Sequence, residues 1–435
     1  MFLVYNALLA VLILLLLPLI LPVILFQKKY RGCTLQRLGF QTQQIKAHLS
    51  ATQSGPVIWL HALSVGEVTS ALPLVKAIRE SIRPATLVFT ATTRSGKELA
   101  EQLMAPHVDL VLFSPLDVPF AIRRYLAVIR PNCFILVETD FWPNWLQQLK
   151  RQQVPVMLVN GRISEQSFAF YHRLSFFFQP MFRCFSLLSM QTGQDRDKML
   201  ALGIPAEQVV CFGNLKYDLS VSRAVPFDYP AFNGKSIWVC GSTHPGEEEL
   251  IFAAFKNVGA DPRVCPDKEG EHRGSPLHLI LAPRKIARGE ELVRLAHSFG
   301  LSATLRSSGS IEPESPVLIL DTIGELASCY GLARLAFIGG SLVDEGGHNP
   351  IEAAAQGVPV LFGQHMEDFA EIAHNLTDSG GAKMVTAETL AETAAAILRD
   401  DTLHEEMSKA ARTLVEQQRG GVERHVQAVR ELLGC

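Results

Sequence analysis

Three charged side chains in the first half of the sequence follow apolar runs typical of buried strands. Glu67 ends the run LHALSVGE, Glu138 ends ILVE, and Lys216 lies in GNLKYD. Ligands of open α/β sheets bind beyond the carboxyl ends of the strands. A carboxylate there can take a proton from a hydroxyl nucleophile, and a lysine can stabilise a developing anion. Two plainer interpretations stay open, in which Glu67 only caps the next helix and Lys216 is a solvated loop charge.

The second half contains the glycine-rich segment GGSLVDEGGHNPIEAAA, whose pattern favours anion binding. Asn349 can cap a helix that has Pro350 as its first residue. The N-terminus of such a helix is a site for phosphate, and Glu352 just inside it is an acidic position suited to a ribose. Arg284 in LAPRK and Gly324 in DTIGEL follow further strand-like runs. No GxxxxGK[ST] motif occurs, which excludes an NTP-hydrolysing P-loop, and the pattern predicts a nucleotide-sugar-binding half.

Two sheets are predicted to position these residues. Runs such as VIWLHAL, ATLVFTAT and CFILVE alternate with amphipathic helical stretches, and the alternation restarts with SIWVCGST, LHLILAP and LAFIGGS. Fully apolar strands joined through helices indicate parallel sheets covered on both faces. The pattern therefore predicts two doubly wound α/β domains that place their ligands between them.

The expected division of the chain follows from these patterns and from the proline- and glycine-containing stretch VPFDYPAFNG. The segments are a membrane anchor at 1–27, a first domain at 28–224, a linker at 225–234, a second domain at 235–415, and a C-terminal helix at 416–435 that can pack back on the first domain. The polar stretch at 259–277 is expected to be an ordinary surface loop rather than a partner-specific insertion.

Composition excludes several classes of protein. The 435 residues are 48% hydrophobic and only 19% charged, which excludes a disordered chain. The net charge of -3 argues against bulk nucleic-acid binding, which needs clustered positive charge. The eight cysteines form no CxxC pair, so neither a zinc site nor a disulfide framework is expected.

The N-terminal segment is long and apolar enough to be a membrane anchor. Residues 7–26 are apolar, and 20 such residues can cross a hydrocarbon core of roughly 30 Å. The basic cluster at 28–37 follows this run, whereas a cleavable signal peptide has its basic residues before it. The positive-inside rule then places the rest of the chain in the cytoplasm. Because Pro18 and Pro22 kink a helix, the anchor either spans the membrane with a bend or lies in one leaflet. The alternative to a membrane anchor is a cleaved signal peptide or a buried core helix.

Eight aromatic residues and two arginines, Arg173 and Arg183, cluster between positions 168 and 185. One interpretation is a helix buried against the first sheet. The other is an aromatic and basic surface that meets lipid headgroups or an acylated substrate.

Taken together, SVGE, VETDFWPN, GNLKYD, STHPGEE, LAPR and GGSLVDEGGHNPIEAAA, behind an N-terminal anchor, resemble the 3-deoxy-D-manno-octulosonic acid (Kdo) transferases. These are membrane-tethered enzymes of lipopolysaccharide assembly with the GT-B fold, in which two Rossmann-like domains face a cleft. The resemblance covers nearly the whole chain, and the motifs occur in the family's order.

The resemblance implies a CMP-Kdo donor, the lipid A precursor lipid IVA as acceptor, contact with membrane lipid, and no nucleic-acid partner. It also implies inversion without a metal or other cofactor, on the cytoplasmic side of the inner membrane. Glu67 matches the family's general base, and Glu138 and Lys216 match residues that support the transition state. The positions that match the CMP-binding segments are Pro283, Arg284, Ile323, Gly324, Glu325, Asn349, Pro350, Ile351 and Glu352.

The sequence departs from the family's pattern after Arg284. Where relatives often have Pro-Arg-His-Pro-Glu-Arg, this chain has PRKIAR, so Arg288 is retained and any role of the histidine does not carry over. Two alternatives stay open at this point. One is another GT-B glycosyltransferase or a sugar-nucleotide epimerase that uses a UDP-sugar, and the other is a non-catalytic, membrane-tethered nucleotide sensor.

Overall fold

The protein is described by a computed structural model. The described residues are 2–26, 28–40, 42–52, 54–221, 236–259, 277–309 and 315–434. The predicted linker at 225–234 and nearly all of the predicted loop at 259–277 lie outside them. The chain divides into two compact units: unit 1 comprises Met1–Leu219 and Arg419–Cys435, and unit 2 comprises Ser220–Gln418.

Unit 1 is built on a sheet of seven parallel strands in the order β3-β2-β1-β4-β5-β6-β7. The strands are β1 (Val57–Ala62), β2 (Thr86–Ala91), β3 (Leu110–Phe113), β4 (Cys133–Val137), β5 (Val156–Gly161), β6 (Leu187–Met190) and β7 (Val209–Cys211). Every residue of β1, β2, β4 and β5 is buried, because helices cover both faces of the sheet.

The helices of unit 1 connect and cover these strands. They are α1 (Phe2–Phe26), α2 (Lys28–Arg37), α3 (Thr42–Thr52), α4 (Val65–Ser81), α5 (Arg94–Leu103), α6 (Pro119–Ile129), α7 (Pro143–Arg151), α8 (Glu165–Arg173), α9 (Ser175–Phe182) and α10 (Gly193–Ala201). One face of the sheet carries an aromatic core centred on Trp59, whose ring centroid lies 5.0 Å from Trp145 and 5.4 Å from Phe134.

Unit 2 repeats the architecture with seven parallel strands in the order β10-β11-β9-β8-β12-β13-β14. They are β8 (Ser236–Thr243), β9 (Leu277–Pro283), β10 (Ala303–Leu305), β11 (Val317–Ile319), β12 (Leu335–Ile338), β13 (Val360–Phe362) and β14 (Ala382–Met384). The helices are α11 (Glu248–Gly259), α12 (Gly289–Ser298), α13 (Leu326–Tyr330), α14 (Ile351–Ala355), α15 (Ala370–Asp378), α16 (Leu390–Arg399) and α17 (Asp401–Gln418).

The last helix, α18 (Gly421–Leu433), belongs to unit 1 and packs on α4. Asp218 caps its N-terminus from a distant part of the chain, since its carboxylate accepts hydrogen bonds from the backbone N–H groups of Gly420 (2.9 Å) and Val422 (2.7 Å). A carboxylate at this position pairs with the positive end of the helix dipole. At the other end, Arg430 donates to the carbonyl of Ser81 on α4 (2.7 Å).

Helix α1 has one docked end and a long exposed stretch. Residues Phe2–Leu19 form the one helical stretch among the described residues that is long and apolar enough to cross a membrane. Its first turn contacts unit 1: the Tyr5 hydroxyl donates to Asp117 (2.9 Å), and the side-chain amides of Asn6 and Asn144 exchange two hydrogen bonds of 2.8 Å.

The aromatic segment divides between core and surface. Phe182 and Phe185 are buried in the core of unit 1. Phe170 and Phe176 on α8 and α9 are 53% and 73% exposed. The ring of Phe177 lies 6.3 Å from that of Tyr5, so the exposed aromatics adjoin the docked end of α1.

Candidate active site

Glu67 lies in the first turn of α4, which begins at Val65. The side chain turns back toward the end of β1 and is only 7% exposed. The backbone N–H of Leu63 donates to its Oε2 atom. Its Oε1 atom makes no hydrogen bond with any described residue, so one carboxylate oxygen is available to a ligand.

The surroundings of Glu67 favour its protonated form near neutral pH. Burial raises its pKa to about 8, and the negative charges of Glu138 and Asp140 act in the same direction, against the hydrogen bond from Leu63. A carboxylate tuned to this range can accept a proton far more readily than one at its ordinary value.

Glu138 follows β4 directly and adopts a left-handed backbone conformation with φ of 63°. Asn160 on the neighbouring strand β5 holds its side chain through an Nδ2–Oε1 hydrogen bond of 3.2 Å. Asn160 also has positive φ, 57°, and lies at an irregularity in the pairing of β5 with β6. Such an irregularity redirects a side chain that a regular strand would point elsewhere.

Asn160 also connects Glu138 to the segment that carries Lys216. Its Oδ1 atom accepts the backbone N–H of Leu215 (3.0 Å), and its carbonyl accepts from Gln191 (3.0 Å). Gln191 in turn accepts from Asn214, whose Oδ1 atom accepts the backbone N–H of Lys216 (3.0 Å). The structure thus brings Glu138 and Lys216 into one hydrogen-bonded network within unit 1.

Asp140 and His61 form a buried pair beside the two glutamates, and sequence analysis did not single them out. His61 Nε2 lies 2.9 Å from Asp140 Oδ2, and the Thr92 hydroxyl donates to the same oxygen (3.1 Å). Burial alone would raise the pKa of Asp140, but these hydrogen bonds hold it below its ordinary value. The available signal in the sequence was His61 itself, a polar residue within the apolar run VIWLHAL.

In unit 2, Pro283 ends β9 and is buried, while Arg284 is exposed. The backbone N–H of Arg284 donates to the carbonyl of Thr243 at the end of β8 (2.9 Å). Its guanidinium forms no hydrogen bond or ion pair with any described residue. The adjacent Arg288 is different, because it is paired with Glu248 (2.7 Å) and Glu291 (2.8 Å) and stabilises the fold.

The segment 323–325 forms an exposed turn before α13. Ile323 is 84% exposed, and Gly324 has φ of 92°, a conformation that glycine adopts without strain. Glu325 is engaged with Arg306 (2.8 Å) and with the hydroxyl of Thr322. Burial opposes ionisation of Glu325, but these contacts hold its pKa below the ordinary value.

The segment 349–352 leads into α14, which packs on α13. Asn349 Oδ1 accepts the backbone N–H of Ile351 (3.0 Å), and Pro350 precedes the first helical residue. Burial raises the pKa of Glu352. Its carboxylate makes no hydrogen bond within the described part of the chain, which leaves it available to donors on a ligand.

Three residues in the motifs STHPGEE and GGHNP complete this region and were not assigned from sequence. Glu247 is fully buried and accepts backbone N–H groups of Gly340 (2.7 Å), Ser341 (3.0 Å) and Leu342 (2.9 Å), which holds the loop after β12. His244 and His348 form an Nε2–Nε2 contact of 2.8 Å. Burial lowers the pKa of His348 to about 4, and the charges of Arg284 and His244 act in the same direction.

One group of three potential metal ligands occurs among the described residues, namely Asp344, His365 and Glu367. The side chains of Asp344 and Glu367 are 90% and 63% exposed, as is common for acidic surface residues without a metal. None of the three belongs to the segments predicted to bind the donor.

Comparisons with known proteins give the same assignment for both halves of the chain. Residues 34–219 match the family model described as 3-Deoxy-D-manno-octulosonic-acid transferase (kdotransferase). The 3-deoxy-D-manno-octulosonic acid transferase of Haemophilus influenzae is 32% identical over 377 residues, which cover 84% of this chain and 85% of that protein. Its namesake from Bordetella pertussis is 32% identical over 398 residues, with 89% and 90% covered.

Among solved structures, the calicheamicin glycosyltransferase CalG4 matches with a TM-score of 0.51 at 14% identity, over 88% of this chain and 99% of that one. This likeness concerns the fold alone. Together with the two seven-stranded parallel sheets, it confirms the predicted GT-B architecture of two Rossmann-like domains.

Proposed function

The chain belongs to the 3-deoxy-D-manno-octulosonic acid (Kdo) transferase family, and on that premise we propose that it transfers Kdo from CMP-Kdo to lipid IVA. Family membership makes it a glycosyltransferase of lipopolysaccharide biosynthesis. The proposal adds the donor, the acceptor, inversion of the anomeric centre and independence of metal. The observation that carries it is the buried carboxylate of Glu67 inside the family-matched region, with one oxygen that has no hydrogen bond among the described residues.

Glu67 is the proposed general base. Direct displacement with inversion needs one base to take the proton of the attacking hydroxyl. The raised pKa of Glu67 fits it to accept that proton, and the Leu63 N–H fixes the carboxylate through Oε2, which leaves Oε1 for the acceptor hydroxyl in this proposal. The rigid strand end and first helical turn supply the positioning that such a transfer requires.

Glu138 and Lys216 are proposed to support the transition state. Their shared hydrogen-bonded network through Asn160 and Asn214 fixes the backbone that carries both side chains. Preorganised charges at a site of charge development stabilise a transition state because they need little rearrangement.

Unit 2 is proposed to bind the CMP moiety through Pro283, Arg284, the segment 323–325 and the segment 349–352. The exposed guanidinium of Arg284 can balance the phosphate charge without a divalent ion. The carboxylate of Glu352, which has no hydrogen bond among the described residues, can accept the ribose hydroxyls, and the exposed side chain of Ile323 offers an apolar contact to the base.

The apolar helix α1 is proposed to attach the enzyme to the inner membrane, with the catalytic units on the cytoplasmic side. Its exposed leucine-rich stretch provides the lipid contact, and the basic residues at 28–37 favour the cytoplasmic face.

The test is to incubate purified full-length enzyme with CMP-Kdo and lipid IVA and to weigh the products by mass spectrometry. We expect a product heavier by one or more Kdo residues, formed equally well in the presence of EDTA. Absence of any such product with active substrates would refute the proposed donor and acceptor.

The matched control is Glu67→Gln, which keeps the size of the side chain and its acceptor for the Leu63 N–H. We expect this variant to lose transfer by at least a thousandfold while it still binds CMP, as measured by titration calorimetry. Substantial residual transfer would show that another group is the base.

A further inference from the structure

One cavity in unit 1, of about 790 Å³, is lined by three cationic side chains, by the acidic Glu98 and Glu101, and by three uncharged residues. Arg37 at the end of α2 and Arg94 and Lys97 on α5 face it, together with Thr92, Cys33 and Phe113. Lys97 Nζ lies 5.2 Å above the ring of Phe113, which fixes the ammonium group at the cavity wall. None of these residues belongs to the catalytic or CMP-binding sets.

Two of the three cations that line this cavity form ion pairs with glutamates of the same lining. Arg94 is paired with Glu98 (2.7 Å) and Lys97 with Glu101, but both glutamates are about half exposed. The Arg94–Glu98 pair is exposed at both side chains and therefore contributes little to stability, whereas the Lys97 side chain is only 16% exposed. Arg37 is partly buried and donates to the Ser114 carbonyl (3.0 Å), and it takes part in none of the ion pairs among the described residues.

The cavity adjoins both the proposed base and the membrane anchor. Thr92 on its wall donates to Asp140, whose charge acts on Glu67. A Cβ at Gly96 of α5 would lie 3.3 Å from the carbonyl carbon of Ser64, so α5 packs against the turn that carries Glu67. Cys33 and Arg37 lie on α2, which begins two residues after the end of the apolar helix α1.

We propose that this cavity binds a phosphate monoester of the lipid acceptor and so holds the acceptor with its hydroxyl at Glu67. The inference rests on the proposed function, in which unit 2 takes the donor's phosphate and lipid IVA carries phosphate monoesters of its own. Arginine and lysine side chains supply the charge-assisted hydrogen bonds that such a dianion accepts. The position after α1 suits a ligand that enters from a membrane surface.

The first test uses Cys33 as a reporter of occupancy and needs no turnover. The full-length enzyme is treated with iodoacetamide, and alkylation of Cys33 and of the exposed Cys211 is followed by peptide mass spectrometry. We expect lipid IVA micelles to slow alkylation of Cys33 at least threefold without an effect on Cys211. Phosphatase-treated lipid IVA should not slow alkylation of Cys33. Lipid IVA itself should not slow alkylation of Cys33 in the Arg94→Gln/Lys97→Gln variant.

Two further arms identify the source of the anion. Inorganic phosphate at high concentration should protect Cys33 weakly, as a free form of the same group. If phosphatidylglycerol micelles protect as well as lipid IVA does, the cavity takes a membrane headgroup and the assignment to the acceptor is overturned. Equal protection by lipid IVA and its phosphatase-treated form would also overturn it.

The second test is kinetic. Arg94→Gln/Lys97→Gln should raise KM for lipid IVA at least tenfold and leave KM for CMP-Kdo unchanged, and on phosphatase-treated acceptor it should equal the wild type. The control Arg123→Gln/Arg151→Gln removes two positive charges from exposed positions of unit 1 and should change neither constant. A defect of the variant that persists on the phosphatase-treated acceptor would contradict the proposal.

The two proposals fail in different ways. If no Kdo is transferred to either lipid, the proposed function fails, and the alkylation result still decides whether the cavity binds a phosphorylated lipid. If Kdo is transferred but Cys33 is never protected, the cavity proposal fails alone.

Discussion

Two neighbouring carboxyl groups in unit 1 are set to opposite protonation states by their surroundings. Asp140 is kept ionised by His61 and Thr92, whereas Glu67 has one backbone donor and a mostly buried position. The negative charge of Asp140 then raises the pKa of Glu67. Pairs of titratable groups whose pKa values are driven apart are typical of acid–base sites.

The pH dependence of transfer should follow Glu67. Because the base acts only when it is deprotonated, kcat/KM should rise with pH and level off above about 8, the pKa of Glu67. Asp140→Asn removes a charge that raises this pKa, so the rising limb should move to lower pH. Initial rates between pH 5.5 and 9.5 would measure both profiles, and a limb that stays in place in Asp140→Asn would contradict the electrostatic coupling.

Asn160 should matter for both stability and activity. Asn160→Ala leaves the backbone N–H of Leu215 buried without its acceptor, which costs about 1–3 kcal/mol, and it releases Glu138. We expect a lower Tm in differential scanning fluorimetry and transfer reduced at least tenfold.

The control for this variant is Asn160→Gly, which tolerates the positive φ but lacks the side chain. It should be as inactive as Asn160→Ala. Recovery of activity in the glycine variant would show that backbone strain, not the lost hydrogen bonds, causes the defect.

At the scale of elements, the docked end of α1 and the following helix α2 both contact the rest of unit 1. The first turn of α1 contacts Asp117 and Asn144, and Arg37, shortly after its end, contacts Ser114. A helix of 25 residues is about 37 Å long and could cross a bilayer. Crossing would place its two ends on opposite sides, which the contacts of its first turn with unit 1 do not allow. We therefore expect α1 to enter the membrane without crossing it.

A labelling experiment checks this topology. A single cysteine in an N-terminal extension, in an enzyme whose own accessible cysteines are replaced by serine, should react with a membrane-impermeant maleimide in inverted inner-membrane vesicles. It should not react in intact spheroplasts. Labelling from the periplasmic side would establish a spanning helix, and Arg151→Cys on unit 1 marks the cytoplasmic side for comparison.

The exposed aromatic residue Phe176 on α9 should contact the membrane surface. Phe176 is 73% exposed and precedes Phe177, which contacts the docked end of α1. Phe176→Ser should lower transfer several-fold on acceptor embedded in lipid vesicles and leave transfer on detergent-dispersed acceptor unchanged. The buried Phe182→Leu serves as a packing control, and equal loss of activity by Phe176→Ser on both acceptors would contradict membrane contact.

At the scale of the whole molecule, the chain leaves unit 1 at Leu219, forms unit 2, and returns at Arg419. Asp218 caps α18 just beyond the point of return, so the two connections are tied together within unit 1. Each unit has its own sheet and core, which is why each can carry one part of the proposed reaction.

Nucleotide preference of the whole enzyme separates the proposed donor from a UDP-sugar. A ligand that binds only the folded state at a hundred times its Kd stabilises by about 2.7 kcal/mol. CMP should therefore raise Tm by several degrees and UDP should not, and Glu352→Gln should reduce the shift with CMP. An equal or larger shift with UDP would favour the UDP-sugar alternative.

The sequence by itself determined the two parallel sheets, the apolar N-terminal helix and the family. Each of these depends on local periodicity, on the length of an apolar run, or on motifs of adjacent residues. It also placed Glu67 and Glu138 after strands β1 and β4, because strand ends are visible as the ends of apolar runs. Their catalytic roles remain predictions.

Only the tertiary structure decided the surroundings of these residues. Four of these features join positions that are far apart in the chain. They are the raised pKa of Glu67, the His61–Asp140 pair, the connection from Glu138 through Asn160 to residue 215, and the docking of Tyr5 on Asp117. The basic cavity likewise combines α2 with α5. Burial and charge–charge interactions depend on distance in space, and a pattern along one chain contains no information on which distant side chains the packed sheet brings together.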